Sequence, residues 1–181
     1  MRKIIRKLLP TLIIGLCTSS MANTPLNISG WYVDASIPFT SLDGSGSGNF
    51  SGTGFGLAGG YKKKVNNLYL GGELETAYLG DISNQSLYMS SLNVILGRHL
   101  STRILAEAKI GMARENVEYS HLDGYSDFSP LVGISANYYF QQHISGFVSF
   151  EHLFGNSLND AGKDNDPFKY NQFSLGARYT W

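Results

Sequence analysis

Several charged residues stand singly within otherwise apolar stretches, each alternating with apolar neighbours. Glu73 and Glu75, for example, flank Leu74. Successive side chains of an extended chain point to opposite faces, so this spacing places the charges on one face and the apolar groups on the other. If the charged face lies in the interior of the protein, its side chains must form ion pairs, because an isolated buried ion costs far too much free energy. The set comprises Asp34, Glu73, Glu75, Glu107, Lys109, Glu151 and Arg178. Because five acids exceed two bases, we expect Lys62, or protons on the glutamates, to contribute to the balance.

A second group of acidic residues lies near the C-terminus. Asp160, Asp164 and Asp166 stand together with Asn159 and Asn165. Their spacing is not that of an EF-hand loop, which needs further ligands and a distal glutamate. We interpret this segment as a solvated loop, and we predict no metal and no cofactor.

The first 22 residues have the composition of a signal peptide. Four basic residues are followed by a ten-residue apolar run, 8–17, and by small residues at the two positions that decide cleavage, Ser20 and Ala22. The apolar run is too short to span a bilayer as a helix. We therefore expect cleavage before Asn23 and a single mature domain over residues 23–181. Cleavage would remove the only cysteine, Cys17, and with it any disulfide.

Composition narrows the class of protein further. Loss of the leader would leave ten Lys and Arg against fourteen Asp and Glu, a net charge near −4. That charge and export both argue against nucleic acid as a partner. No later stretch reaches the roughly 18 apolar residues of a transmembrane helix. The 21 glycines and an aromatic fraction of 13% favour a β-rich chain.

Eight segments of about ten residues repeat the alternating pattern, the length of a tilted strand that crosses an outer membrane. They are 28–37, 52–62, 68–78, 87–98, 104–112, 128–140, 144–154 and 171–181. We predict an all-β fold, an eight-stranded antiparallel up-and-down transmembrane β-barrel. Its apolar face would contact lipid and its charged face would line the lumen.

The connections between these segments alternate in length. Segments 62–67, 99–102 and 141–142 are short, whereas 38–51, 79–86, 115–127 and 155–170 are mostly longer and polar. This alternation predicts periplasmic turns at one rim and four extracellular loops at the other. The run Lys62-Lys63-Lys64 would be a solvated anchor beside the periplasmic head groups. Arg114 and Lys169 would meet lipopolysaccharide phosphates at the outer rim.

Aromatic residues near the segment ends predict two interfacial girdles, as in membrane barrels. The predicted periplasmic girdle comprises Tyr61, Tyr138, Phe140, Tyr179 and Trp181, and the predicted outer girdle comprises Tyr78, Tyr88, Phe128 and Phe154.

The final segment carries a family resemblance. Phe173, Leu175, Tyr179 and Trp181 share one parity and end the chain on an aromatic residue. This resembles the signal by which the barrel assembly machinery recognises outer-membrane barrels. The chain also resembles the OmpA-like family of small barrels, which includes opacity and adhesion types. The residues that carry this resemblance are the opening Gly30-Trp31-Tyr32-Val33 and the ending Leu175-Gly176-Ala177-Arg178-Tyr179. The resemblance implies a Gram-negative outer membrane, with lipid and lipopolysaccharide as surroundings.

The resemblance implies a non-enzymatic role in surface interaction or adhesion, or in envelope structure, with a host or extracellular ligand bound through the four loops. Two alternatives stay open. Relatives with a charged lumen suggest a small gated channel. Barrels that deacylate lipid A use a lipid-facing His with a Ser two positions on, and here His152 is followed by Phe154 at that position. Because a nucleophile must lie within hydrogen-bond reach of its base, we predict no catalytic residue.

Overall fold

The structure is a computed structural model that describes residues 26–43, 50–82, 85–119, 122–154 and 169–181. The predicted signal peptide lies outside these residues. In chain order the strands are β1 (Gly30–Asp43), β2 (Phe50–Thr53), β3 (Phe55–Val65), β4 (Leu68–Ile82), β5 (Gln85–His99), β6 (Ile104–Tyr119), β7 (Leu122–Tyr139), β8 (Ile144–Leu153) and β9 (Lys169–Thr180). Within the described ranges, no helix is long and apolar enough to cross a membrane.

The strands form one antiparallel sheet that closes on itself. Sequential strands pair from β3 to β9, and β9 returns to pair with β1 along its length. Both β2 and β3 pair with β1, so they act as one strand interrupted at Gly54. A Cβ at Gly54 would collide with the backbone carbonyl of Tyr78, which explains the glycine. The predicted eight-stranded antiparallel barrel is confirmed, with its second strand divided in two.

Side chains alternate between the inside and the outside of this barrel. Leu74 is 66% exposed, whereas its neighbours Glu73 and Glu75 are only 5% and 9% exposed. Large apolar side chains therefore cover the outer wall, while Glu73, Glu75 and other charged side chains lie inside. A soluble protein buries its apolar groups, so this inverted arrangement suits a wall that faces lipid.

The two rims of the barrel differ. One rim, here the turn end, connects strands through Asn66–Asn67, 100–103 and 140–143. Asn66 has a φ of 56°, in the left-handed region that two-residue hairpins require. The opposite rim, here the loop end, holds the other connections.

Strands run further toward the loop end than the sequence predicted. Three of the predicted loops, 38–51, 79–86 and 115–127, lie largely within strands, and β6 and β7 extend to Tyr119 and from Leu122. The prediction was wrong because it followed alternating apolar residues, whereas antiparallel pairing uses backbone groups and continues through polar sequence. Most of the fourth loop, 155–170, lies outside the described residues.

Candidate functional site

The barrel interior holds the charged residues that the sequence singled out. Asp34, Glu73, Glu107 and Arg178 are all at most 6% exposed. The other three predicted residues are Glu75, Glu151 and Lys109, whose side chains are 8%, 2% and 13% exposed. The structure therefore brings all seven together within one enclosed space.

Lys109 is the centre of one group of ion pairs. Its Nζ lies 2.7 Å from Glu151 Oε1, 2.8 Å from Glu75 Oε2 and 3.3 Å from Glu73 Oε1. Gly133 stands between Lys109 on β6 and Glu151 on β8 in the register of the sheet. A Cβ at Gly133 would lie within about 3 Å of both side chains, so the glycine lets them meet across β7.

Arg178 is the centre of a second group. Its Nε and Nη2 donate to the two carboxylate oxygens of Asp34 at 2.7 Å, and its Nη1 donates to Glu107 Oε2 at 2.7 Å. Nη2 also lies 3.6 Å from Glu73 Oε2. Because Glu73 contacts both Lys109 and Arg178, the two groups form one network. Paired hydrogen bonds between a guanidinium and a carboxylate are stronger and more directional than single ones.

Lys62 extends this network toward the turn end. Its buried Nζ donates to Glu107 Oε1 at 2.9 Å and to the Tyr139 hydroxyl at 3.2 Å. The Tyr32 ring lies 4.0 Å from the Arg178 guanidinium, and its hydroxyl donates to Glu73 Oε2 at 2.8 Å. The expectation that Lys62 contributes to the charge balance is confirmed by its ion pair with Glu107. Its interpretation as a solvated anchor was wrong, because it faces inward, while Lys63 and Lys64 are exposed. Lys62 supplies a third cation for the five acids.

Apolar clusters close the interior on both sides of the network. The cluster near the loop end comprises Ala77, Leu79, Leu87, Met89, Ala113, Leu131 and Leu153. The cluster at the turn end comprises Ile28, Tyr69, Leu105 and Tyr139, with Leu26 against it. The backbone oxygen of Leu26 accepts a hydrogen bond from the Tyr69 hydroxyl at 3.2 Å and lies 3.1 Å from His99 Nε2. The segment before β1 therefore plugs the turn end.

The network leaves little free space. A cavity of about 30 Å³ lies among Asp34, Glu73, Glu107, Lys109 and Arg178. That volume holds about one or two water molecules. Among the described residues, no group of three or more His, Cys, Asp or Glu is arranged to hold a metal ion. The aspartates at 160, 164 and 166 lie outside the described residues. Chemically, the arrangement can hold strands together.

The outer wall carries the aromatic residues of both predicted girdles. At the turn end, Tyr138 packs against Phe140 with ring centroids 5.2 Å apart, and Tyr179 packs against Trp181 at 5.5 Å. Tyr61 packs against Trp31 there at 5.2 Å, a contact that the prediction did not include. Nearer the loop end, Phe55, Tyr78 and Tyr88 stand side by side across β3, β4 and β5. Phe128 lies beside Arg114, and Phe154 beside His152. The last strand and the residue after it expose Phe173, Leu175, Tyr179 and Trp181 on this same outer wall.

His152 contacts a side-chain amide and an aromatic ring. Its Nδ1 lies 2.8 Å from the side-chain oxygen of Asn171, and its ring centroid lies 4.5 Å from that of Phe154. Within the described side chains, no hydroxyl and no carboxylate is hydrogen-bonded to it. A nucleophile and its base would need such contact.

The prediction missed the inward apolar residues that close the interior. Leu79 continues the inward parity of Glu73 and Glu75, and Ile28 shares the parity of Tyr32 and Asp34. The sequence signal for residues that close the interior is therefore an apolar side chain at an inward position near a strand end.

Comparison with known proteins finds one matching family and several similar structures. The family described as "Outer membrane protein beta-barrel domain" matches residues 9–180. The structure resembles Ail, the attachment invasion locus protein of Yersinia pestis, with a TM-score of 0.62, 14% identity and coverage of 84% of this chain and 99% of Ail. It resembles Neisserial surface protein A with a TM-score of 0.57, 17% identity and coverage of 84% and 98%. For the N-terminal barrel of Pseudomonas aeruginosa OprF, the TM-score is 0.57, the identity 15% and the coverage 83% and 97%.

These likenesses show a shared fold. Among curated proteins, none matches this chain. The family match spans nearly the whole sequence, well beyond half of it. The chain belongs to the outer-membrane protein β-barrel family.

Proposed function

We propose that this protein acts at the cell surface, in surface interaction or adhesion or in envelope structure, and that it is not an enzyme. The filled interior carries this proposal. Ion pairs occupy the middle of the barrel, apolar clusters lie on both sides of them, and the cavity between measures about 30 Å³. A partner therefore has to bind outside, and loops on a rigid scaffold commonly carry recognition.

Export and insertion follow from the same proposal. Residues 1–22 direct the chain across the inner membrane of a Gram-negative cell and are then removed. The barrel assembly machinery recognises β9 and the terminal residue after it. Their outward side chains, each more than two-fifths exposed, are Phe173, Leu175, Tyr179 and Trp181. The turn end then faces the periplasm and the loop end faces outward, as in other barrels of this class.

Two kinds of partner suit the loop end. Lipopolysaccharide surrounds it, and the exposed Arg114, whose guanidinium carbon lies 5.9 Å from the Phe128 ring centroid, stands at the level of the outer girdle where lipid phosphates lie. A host or extracellular ligand would bind above the membrane. Ail has been crystallised with the heparin analogue sucrose octasulfate. A first binding screen for this protein should therefore include a sulfated glycan.

The alternatives receive less support. A channel would need a continuous aqueous path, and the described interior contains the closed clusters instead. A lipid A-modifying enzyme would need an acid and a nucleophile at His152, which contacts Asn171 and Phe154.

Surface display in a non-adherent Gram-negative host tests the proposal. Cells that express the protein should bind extracellular-matrix proteins or sulfated glycans above vector controls, and replacement of residues 156–167 by a Gly-Ser linker should reduce this binding. The matched control replaces 100–103 at the turn end, which should leave binding unchanged. If binding equals that of the vector and deletion of the gene leaves detergent sensitivity unchanged, both the interaction role and the envelope role are wrong.

A further inference from the structure

A groove runs over the outer wall of β1, β3, β4 and β5 near the turn end. It measures about 550 Å³, and its sides are apolar: Trp31, Tyr61, Leu70 and Leu92 line it. Gly59 and Gly72 form its floor. These residues point away from the barrel axis, so the groove opens toward lipid.

Backbone crowding does not explain the two floor glycines. Their neighbours Gly60 and Gly71 face inward, where a Cβ would collide with backbone carbonyls of the adjacent strand. At Gly59 and Gly72 the nearest described atom to an added Cβ is a backbone oxygen 3.8 Å away, so a Cβ fits at both positions. Each lies in a strand, where glycine weakens local structure. Their small size has one evident consequence, which is to keep the groove open.

Among the described residues, no aromatic ring lies within 4 Å of the Cβ position at either glycine. Tyr61 stands directly opposite Gly72 in the β3–β4 register, where it could lie over the glycine. Its ring instead packs against Trp31, and no described side-chain atom lies within 4 Å of the Cβ position at Gly72. Tyr61 and Trp31 therefore form one side of the groove and leave the floor uncovered.

A cation stands at the end of the groove nearest the turn end. Lys63 follows Tyr61 on the outward face of β3 and lies opposite Leu70, which lines the groove. It is exposed, and no described residue forms an ion pair with it. Arg98 faces outward at the corresponding end of β5. Among the described side chains, none of the outward residues on β3, β4 and β5 is acidic, so this rim attracts anions.

We propose that this groove is a binding site for an anionic phospholipid of the periplasmic leaflet, such as phosphatidylglycerol. One acyl chain lies in the groove over Gly59 and Gly72, and the phosphate meets Lys63 at head-group level. A lysine can extend along an apolar surface while its ammonium stays among the head groups. Charge complementarity selects this occupant over a second copy of the chain, which would bring a like-charged rim to the same place.

Lipid binding by native mass spectrometry tests the site on the folded, detergent-solubilised protein. Wild type should bind phosphatidylglycerol about ten times more tightly than phosphatidylcholine, which corresponds to about 1.4 kcal/mol. Gly72→Val should weaken binding of both lipids by about ten-fold because it fills the groove. Lys63→Gln should remove the preference for phosphatidylglycerol and keep the binding of phosphatidylcholine.

Two matched variants separate the groove from general effects. Ser90→Val adds an outward branched residue higher on β5, and Lys64→Gln removes the adjacent exposed charge. Neither should change lipid affinity. Unchanged binding in Gly72→Val, or an unchanged preference in Lys63→Gln, would overturn the proposal, as would a lipid-free dimer that Gly72→Val abolishes.

A second measurement needs no variant to fold. Phosphatidylglycerol with a photoreactive group in its acyl chain should crosslink wild type mainly within 59–74. Crosslinks spread evenly around the outer wall would contradict a specific site.

Discussion

Arg178 and Asp34 face each other across the seam that closes the barrel. They are register partners in the β9–β1 pair, and two hydrogen bonds of 2.7 Å join the guanidinium to both carboxylate oxygens. A bidentate pair therefore links the last strand to the first. Because 144 positions separate the two residues, this contact forms only when the sheet closes.

Loss of the guanidinium should destabilise the closed barrel. Arg178→Met leaves Asp34 buried without its partner and removes one of the two cations beside Glu107, at a cost of about 3–5 kcal/mol in the free energy of unfolding. Urea unfolding in lipid vesicles, followed by gel mobility of unheated samples, measures this. Arg103→Met, at an exposed turn, is the control and should cost less than about 0.5 kcal/mol. Equal unfolding midpoints for the two variants would show that the seam does not depend on the pair.

Loss of the Lys109 ammonium should destabilise the barrel, because three buried carboxylates share it. Lys109→Met leaves Glu73, Glu75 and Glu151 close together without the ammonium that lies within 3.3 Å of each. We expect a loss of about 3–5 kcal/mol in the same unfolding experiment, or failure to fold. Lys64→Met, which changes an exposed lysine, should unfold like wild type. A stable Lys109→Met barrel would mean that the carboxylates do not require a shared cation.

Ile28 should stabilise the plug at the turn end. Ile28→Ala removes a side chain that is 1% exposed and packed with Tyr69, Leu105 and Tyr139, so we expect a loss of about 2–5 kcal/mol. Val33→Ala, on the lipid-facing wall, leaves no enclosed cavity and should cost less. Limited proteolysis should also show faster cleavage near residue 26 in Ile28→Ala alone. Similar stability and cleavage in both variants would contradict the plug.

Two glycine substitutions should have opposite outcomes. Gly54→Ala places a Cβ against the Tyr78 carbonyl at the break between β2 and β3, and it should reduce the yield of heat-modifiable, folded protein. Gly72→Ala meets no such obstacle and should fold like wild type. Refolding into detergent micelles with a mobility assay compares them. Normal folding of Gly54→Ala would show that the break tolerates a side chain.

Much of this architecture could be predicted because alternation fixes which face each side chain occupies. Glu73 and Glu75 were predicted to face inward on that basis alone. Alternation does not fix the stagger between strands, however, so it could not show that Glu73 contacts both Lys109 and Arg178. Lys62 stands in a run of three lysines, where composition favours solvent, and only its inward parity separates it from Lys63. The plug was missed because Ile28 resembles the first residue of a strand.

Planar-bilayer recording of the refolded wild-type protein tests most directly whether the interior is filled. An interior closed by the ion pairs and by both apolar clusters predicts no steady conductance at moderate voltage, in wild type and in Lys64→Met alike. A steady ohmic conductance in wild type that Lys109→Gln alters would contradict a closed barrel and would establish a path through the charged network.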